Sequence, residues 1–186
     1  SVNGDHLVTV SRDRSMKLIN VPTQRFIDNV TSITPGALKG GLNSVDRHPG
    51  KDELLCGGAD GVPKIYKMFR DKARKIGDDF NLIRAYPGLQ GRIFSTQFSK
   101  DGTRIVSGSS FNGIGQVKIA NYEDAKEISS IDLDGGIFAV AFHPDGNTVA
   151  AAGFSGEVHL IEVATGKITK SFVPVTIETT VAGAEE

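Results

Sequence analysis

Short apolar runs alternate with clusters of turn residues every 8 to 12 positions along this chain. No stretch sustains a 3.6-residue period, so the pattern predicts strands rather than long helices. Residues 137–142 (IFAVAF) are apolar at both alternating sets of positions, which predicts a strand buried on both faces. His143-Pro144-Asp145-Gly146 then reads as a hairpin turn. A strand follows at 148–152, then a turn at Ser155-Gly156 and a strand at 158–161. Thr165-Gly166 makes another hairpin, and 167–172 forms a fourth strand.

That quartet recurs. Residues 42–66 (LNSVDRHPGKDELLCGGADGVPKIY) align without a gap to 137–161 (IFAVAFHPDGNTVAAAGFSGEVHLI), placing His48-Pro49 on His143-Pro144 and Gly58 on Gly153. Residues 93–119 carry the same pattern with three extra residues near Asn112. The stretch 7–20 (LVTVSRDRSMKLIN) matches 149–162, and SVNGD at the start aligns with SKDGT in the turn between first and second strands. The first copy therefore has no first strand within this sequence. A repeat of 44 to 51 residues holding four antiparallel strands points to a propeller blade. The fold expected is all-β, with β-propeller blades of four antiparallel strands, about four in number, the first incomplete. The blades span about 1–30, 42–86, 93–131 and 137–172. Residues 1–175 form a partial propeller, and 176–186 a polar C-terminal tail. Closed propellers have about 4 to 8 blades, so the arc reads as part of a larger ring. Further blades of a longer chain would close it, or else a second copy.

Ser11-Arg12-Asp13 and the strand that runs on to Ile19-Asn20 resemble the third-strand signature of the WD-repeat β-propeller family. In that family a Ser-x-Asp turn precedes an apolar strand ending in Trp-Asp. Gly58-Ala59-Asp60-Gly61 up to Tyr66-Lys67 is similar to a second copy. The chain departs from the pattern in having no Trp: Ile19, Tyr66, Ala120 and Ile161 stand in the Trp places, none followed by Asp. No Gly-His pair starts a blade, and Ser155 replaces the Asp in the last one. The resemblance implies that Asp13 and Asp60 are structural turn residues, accepting backbone N–H bonds. Without the family's full set of buried hydrogen bonds, the blades must rely more on apolar packing. The middle blade is also similar to blades of large secreted bacterial proteins that join WD repeats to c-type cytochrome modules. That likeness implies the bacterial periplasm or cell exterior. No Cys-x-x-Cys-His occurs, so any haem module would lie outside this chain, and no cofactor is assigned.

The 186 residues include 21 basic and 22 acidic ones, for a formal net charge of -1. Such a balance argues against binding nucleic acid or anionic membrane over the whole surface. One Cys excludes a disulfide framework and a Cys-based zinc site within the chain. No apolar run approaches the roughly 18 residues of a membrane span. The four His residues lack a paired ligand spacing, and Asp132-Leu133-Asp134-Gly135-Gly136 lacks the later ligands of a calcium loop. Gly-x-Ser-x-Gly and the phosphate-binding Gly-x-x-x-x-Gly-Lys motif are absent. No catalytic or metal residue is assigned, and Cys56 reads as a small core residue.

Two features could meet a partner. Lys64, Lys67, Arg70, Lys72, Arg74 and Lys75 make a basic run broken only by Asp71, in the loop after the third strand of its blade. Arg70, Lys72, Arg74 and Lys75 are the candidate dock for an acidic partner or phosphate groups. The alternative is a solvated rim loop balanced by Asp78 and Asp79. The long junctions 31–41 and 87–92 offer Ile33, Leu38 and Leu89 as apolar anchors, or pack as ordinary loops. The function expected is a non-catalytic protein-interaction or scaffolding module. Its partners would be other proteins or the remaining blades, with self-association through open blade edges. The alternative is part of a propeller enzyme or redox-associated protein whose active or haem site lies outside this chain.

Overall fold

The apolar runs become strands and the turn clusters become hairpins in a computed structural model, which describes residues 1–31, 40–73, 75 and 79–175. The tail 176–186 lies outside the described residues. Blade I holds β1 (His6–Val10), β2 (Met16–Asn20) and β3 (Arg25–Asn29). Blade II holds β4 (Leu42–Arg47), β5 (Glu53–Gly58), β6 (Lys64–Lys67) and β7 (Leu82–Ala85). Blade III holds β8 (Arg92–Phe98), β9 (Arg104–Phe111), β10 (Ile114–Asn121) and β11 (Glu127–Asp134). Blade IV holds β12 (Ile137–Phe142), β13 (Thr148–Gly153), β14 (Val158–Glu162) and β15 (Ile168–Phe172). Each sheet is antiparallel in simple sequence order, three-stranded in blade I and four-stranded in the others. The all-β blade architecture read from the repeat is confirmed, including the incomplete first blade.

The repeat reaches down to single hydrogen bonds. Backbone bonds His48 N–H to Glu53 (2.9 Å), Ser99 N–H to Arg104 (2.9 Å) and His143 N–H to Thr148 (2.8 Å) close the first hairpin of blades II, III and IV. In blade I the Ser1 ammonium donates to the His6 carbonyl at 2.9 Å, in the same place. The pairing of third and fourth strands shifts at one equivalent step in all four blades: Leu18/Ile19, Ile65/Tyr66, Ile119/Ala120 and Leu160/Ile161. Such bulges sharpen the strand twist.

The blades hold together face to face. Met16 and Leu18 of blade I pack on Leu54, Cys56 and Tyr66 of blade II. Leu55 and Ile65 of blade II pack on Phe98, Ile105 and Ala120 of blade III. Val117 and Ile119 of blade III pack on Val140, Val149 and Ile161 of blade IV. Tyr66, Ala120 and Ile161, standing in the Trp places, thus each cover the preceding blade. First strands approach closely, β4 to β8 and β8 to β12. Two glycines permit that approach. A Cβ on Gly57 would stand 2.5 Å from Ile93 Cγ2, and one on Gly108 2.7 Å from Ile137 Cγ2.

One expectation is overturned. β12 is not buried on both faces: Ile137 and Val140 are buried, but Phe138, Ala139 and Ala141 are exposed. Ala139 and Ala141 point to the side where a next blade would pack, while Phe138 stands edge-on to Phe94 of blade III with ring centroids 5.1 Å apart.

Candidate interaction surfaces

The register converts the repeat into a map of what each face should bury. Leu7, Leu54, Ile105 and Val149 occupy one position, paired with Ile19, Tyr66, Ala120 and Ile161 respectively. Leu54, Ile105 and Val149 are 2%, 2% and 0% exposed, whereas Leu7 is 52% exposed. Phe26 and Ile27 are exposed on the same outer strand region of blade I. At the other end, Leu18, Ile65, Ile119 and Leu160 are equivalent. The first three are buried, and Leu160 is half-buried. Leu160 lines an open cavity of 470 Å³ with Ala141, Phe142, Pro144 and Ala150. The two end faces of the arc therefore carry blade-packing residues without a blade on them, and apolar area left in water is the driving force for association.

The covered and uncovered ends also differ at the turns. His48 is 7% exposed, with its ring 5.1 Å from Phe98 and 5.0 Å from Tyr122 in blade III. Burial holds its pKa below the usual value for His, with Lys51 adding to the effect. Tyr122 donates to Glu53 Oε2 at 2.5 Å and accepts from Lys51 Nζ at 2.9 Å, so blade III grips the first turn of blade II. His143, the equivalent of His48, is exposed and stands 3.0 Å from Asp145.

The basic loop is partly neutralised from within. Lys64 pairs with Asp60, Lys67 with Asp71 at 2.8 Å, and Arg70 with Asp28 of blade I at 3.3 Å. Lys72 and Lys75 are exposed, and neither makes an ion pair among the described residues. Arg74 lies outside the described residues. So do the junction residues Ile33 and Leu38. Leu89 is 8% exposed, and its N–H donates to the Gly61 carbonyl at 2.8 Å.

Asp13 accepts from the Ser15 hydroxyl at 2.6 Å and from the Ser15 N–H at 2.9 Å. Those bonds hold its carboxyl down at about 2. Asp60 accepts the Val62 N–H at 3.1 Å in the equivalent turn. Cys56 is fully buried between blades I and II, and burial pushes its thiol up to about 12. No group of His, Cys, Asp and Glu suited to a metal occurs among the described residues. No helix is long and apolar enough to cross a membrane among the described residues.

The sequence implies open blade edges but not which residues lie on the end faces, because an uncovered blade face has the same apolar spelling as a covered one. Sequence reasoning overlooked the Lys51–Tyr122–Glu53 contact, whose members lie about seventy residues apart.

Residues 126–162 match the family model described as WD domain, G-beta repeat. The match runs from the last strand of blade III through the third strand of blade IV. The repeat unit is thus offset by one strand from the blade, and each repeat ties two blades together. No curated protein matches the chain.

Proposed function

We propose that this chain, whose residues 126–162 match the WD domain, G-beta repeat model, is a protein-interaction propeller that acts as a non-catalytic scaffold and assembles through its end faces. The reading rests on one observation: Leu7 is 52% exposed at the repeat position where Leu54, Ile105 and Val149 are buried. A face that fits a blade in three successive copies offers the same fit to a further blade. The two ends differ, so the contact is head to tail, blade IV against the next blade in one direction and blade I in the other, supplied by further blades of a longer chain or by a second copy. Such a contact closes if the accumulated rotation completes a circle, and closed rings hold about 4 to 8 blades.

The rim loop with Arg70, Lys72, Arg74 and Lys75 is the polar docking element of this scaffold, suited to an acidic protein segment. Lys72 and Lys75 supply its unpaired charge, and Arg70 anchors the loop to Asp28. Leu89 shapes its own junction from within, and Ile33 and Leu38 are the apolar anchors proposed for the other long junction.

Light scattering on the purified chain tests the assembly. A mass above 19.8 kDa that rises with concentration, and falls back to 19.8 kDa in Leu160→Glu, is the expected result. A single 19.8 kDa species at every concentration would contradict it. Charge reversal of the four loop residues should leave that association intact and weaken capture by an acidic peptide.

A further inference from the structure

The hairpin that joins β9 to β10 is longer than its counterparts and ends in Phe111-Asn112-Gly113-Ile114. β9 and β10 have eight residues each, against five or six in β1, β2, β13 and β14. Phe111 pairs with Ile114, so Asn112 and Gly113 alone make the turn. Both take positive φ, 48° and 82°, as a type I′ hairpin turn requires. The tip stands in water. All four of its residues are exposed, and a Cβ on Gly113 would meet nothing within 4 Å. One backbone bond ties the turn to the next junction, from the Gly135 N–H to the Gly113 carbonyl at 2.9 Å.

The Asn112 side chain makes no hydrogen bond among the described residues, and neither does the Gly113 N–H. The chain has a second Asn-Gly pair, Asn3-Gly4, whose groups are engaged. Asn3 Oδ1 accepts the Ser1 hydroxyl at 2.6 Å and the Asp5 N–H at 3.2 Å, and Asn3 Nδ2 donates to Asp5 Oδ2 at 2.7 Å. The Gly4 N–H donates to the Ser1 carbonyl at 3.2 Å. The contrast matters because an Asn side-chain carbon and the nitrogen of the following residue close into a five-membered ring, which makes Asn thermolabile. Gly in the second place obstructs that closure least, since it has no Cβ and leaves its φ freely. At Asn112 only the local opening of an unpacked turn stands before the ring. At Asn3 the hydrogen bonds of both reacting groups must break as well.

From this we infer that Asn112 is a site of spontaneous covalent modification, with water as the only co-reactant. The Gly113 nitrogen loses its proton to solvent base and attacks Asn112 Cγ. A bond from that nitrogen to Cγ forms, the Cγ–Nδ2 bond breaks, and Nδ2 takes up a proton and leaves as ammonia. Water then opens the ring at either carbonyl. Opening at Cγ leaves aspartate. Opening at the main-chain carbonyl leaves isoaspartate, whose backbone runs through Cβ and is one carbon longer. A two-residue turn has no slack for that carbon, so the Phe111–Ile114 pair and the Gly135–Gly113 bond are displaced. Either product also places a new carboxylate near Asp134, which stands opposite Ile114. The tip of blade III thus ages from a neutral hairpin into an acidic one.

The test is incubation of the full chain in warm, mildly alkaline buffer, folded and in urea. Peptide mapping by mass spectrometry follows, with a fragmentation method that tells isoaspartate from aspartate. In the folded chain Asn112 should convert about tenfold faster than Asn3, and in urea the two rates should approach each other. Isoaspartate should accompany aspartate at position 112. Hydrogen exchange at the Gly135 amide should rise in the isoaspartate form and stay unchanged in Asn112→Asp, which has the charge without the longer backbone. Gly113→Ala should slow conversion in urea as well as in the folded chain, because the added methyl hinders the attacking nitrogen. Three results would overturn the inference: Asn112 intact in the folded chain once the chain in urea has converted, Asn3 reacting as fast as Asn112 while folded, or aspartate forming without isoaspartate.

Discussion

Leu7 and Leu54 occupy the same place in successive repeats, yet Leu7 is 52% exposed and Leu54 is 2% exposed. The difference lies in what stands in front of them. Blade I covers Leu54, and no blade among the described residues covers Leu7. Leu54→Ala should therefore cost about 2–5 kcal/mol through lost burial and the cavity left behind. Leu7→Ala should cost less than about 0.5 kcal/mol under conditions that keep the chain dispersed. Urea unfolding of the two variants measures both. Similar costs would mean that Leu7 is covered after all.

The same logic gives a pH dependence. His48 is buried against blade III, and its pKa is lowered from 6.5, foremost by burial. The unfolded chain then binds the proton more readily than the folded one. The stability His48 contributes is present above pH 6.5 and is lost as pH falls below it. Melting temperatures between about pH 8 and pH 5 should fall on acidification, and His48→Gln should flatten that fall.

Cys56 behaves in the opposite direction. Its thiol pKa is raised from 9.0 to about 12, so the folded chain holds the proton more tightly. The associated stability is intact below pH 9.0 and is lost as pH climbs toward about 12. At pH 8 a thiol reagent should leave the native chain unmodified and react fully once urea unfolds it. Rapid native reaction would show that the seam between blades I and II opens readily.

Close approach of the blades has its own signature. Gly57→Val should cost about 1–3 kcal/mol by overpacking, because a Cβ there already stands 2.5 Å from Ile93 Cγ2 and 2.9 Å from Thr96 Cγ2. Gly50→Ala, in a turn with nothing within 4 Å of the added methyl, should be near neutral. Chemical denaturation of the pair separates blade packing from a general cost of losing Gly.

Much of the architecture was legible before any coordinates. His48-Pro49 over His143-Pro144 set the repeat, and the repeat set the blades, because turn chemistry and strand alternation are local. What could not be read locally was the direction in which each face looks. IFAVAF is apolar throughout, and only the position of blade IV at the end of the arc explains why Ala139 and Ala141 face outward. The basic loop was visible as a run of like charge, but its pairing of Arg70 with Asp28 joins residues of different blades. Ser44, Asp46, Ser95 and Gln97 were present in the aligned columns. Their role as acceptors for N–H groups of the next inner strand emerges only when the inner strands lie side by side.

Cross-linking of variants with one added cysteine tests the assembly most directly, since Cys56 is buried and does not compete. Leu7→Cys chains mixed with Leu160→Cys chains should form a covalent pair under mild oxidation, while each variant alone should not. Pairing of each variant with itself, or no pairing in the mixture, would contradict head-to-tail docking of one arc on another.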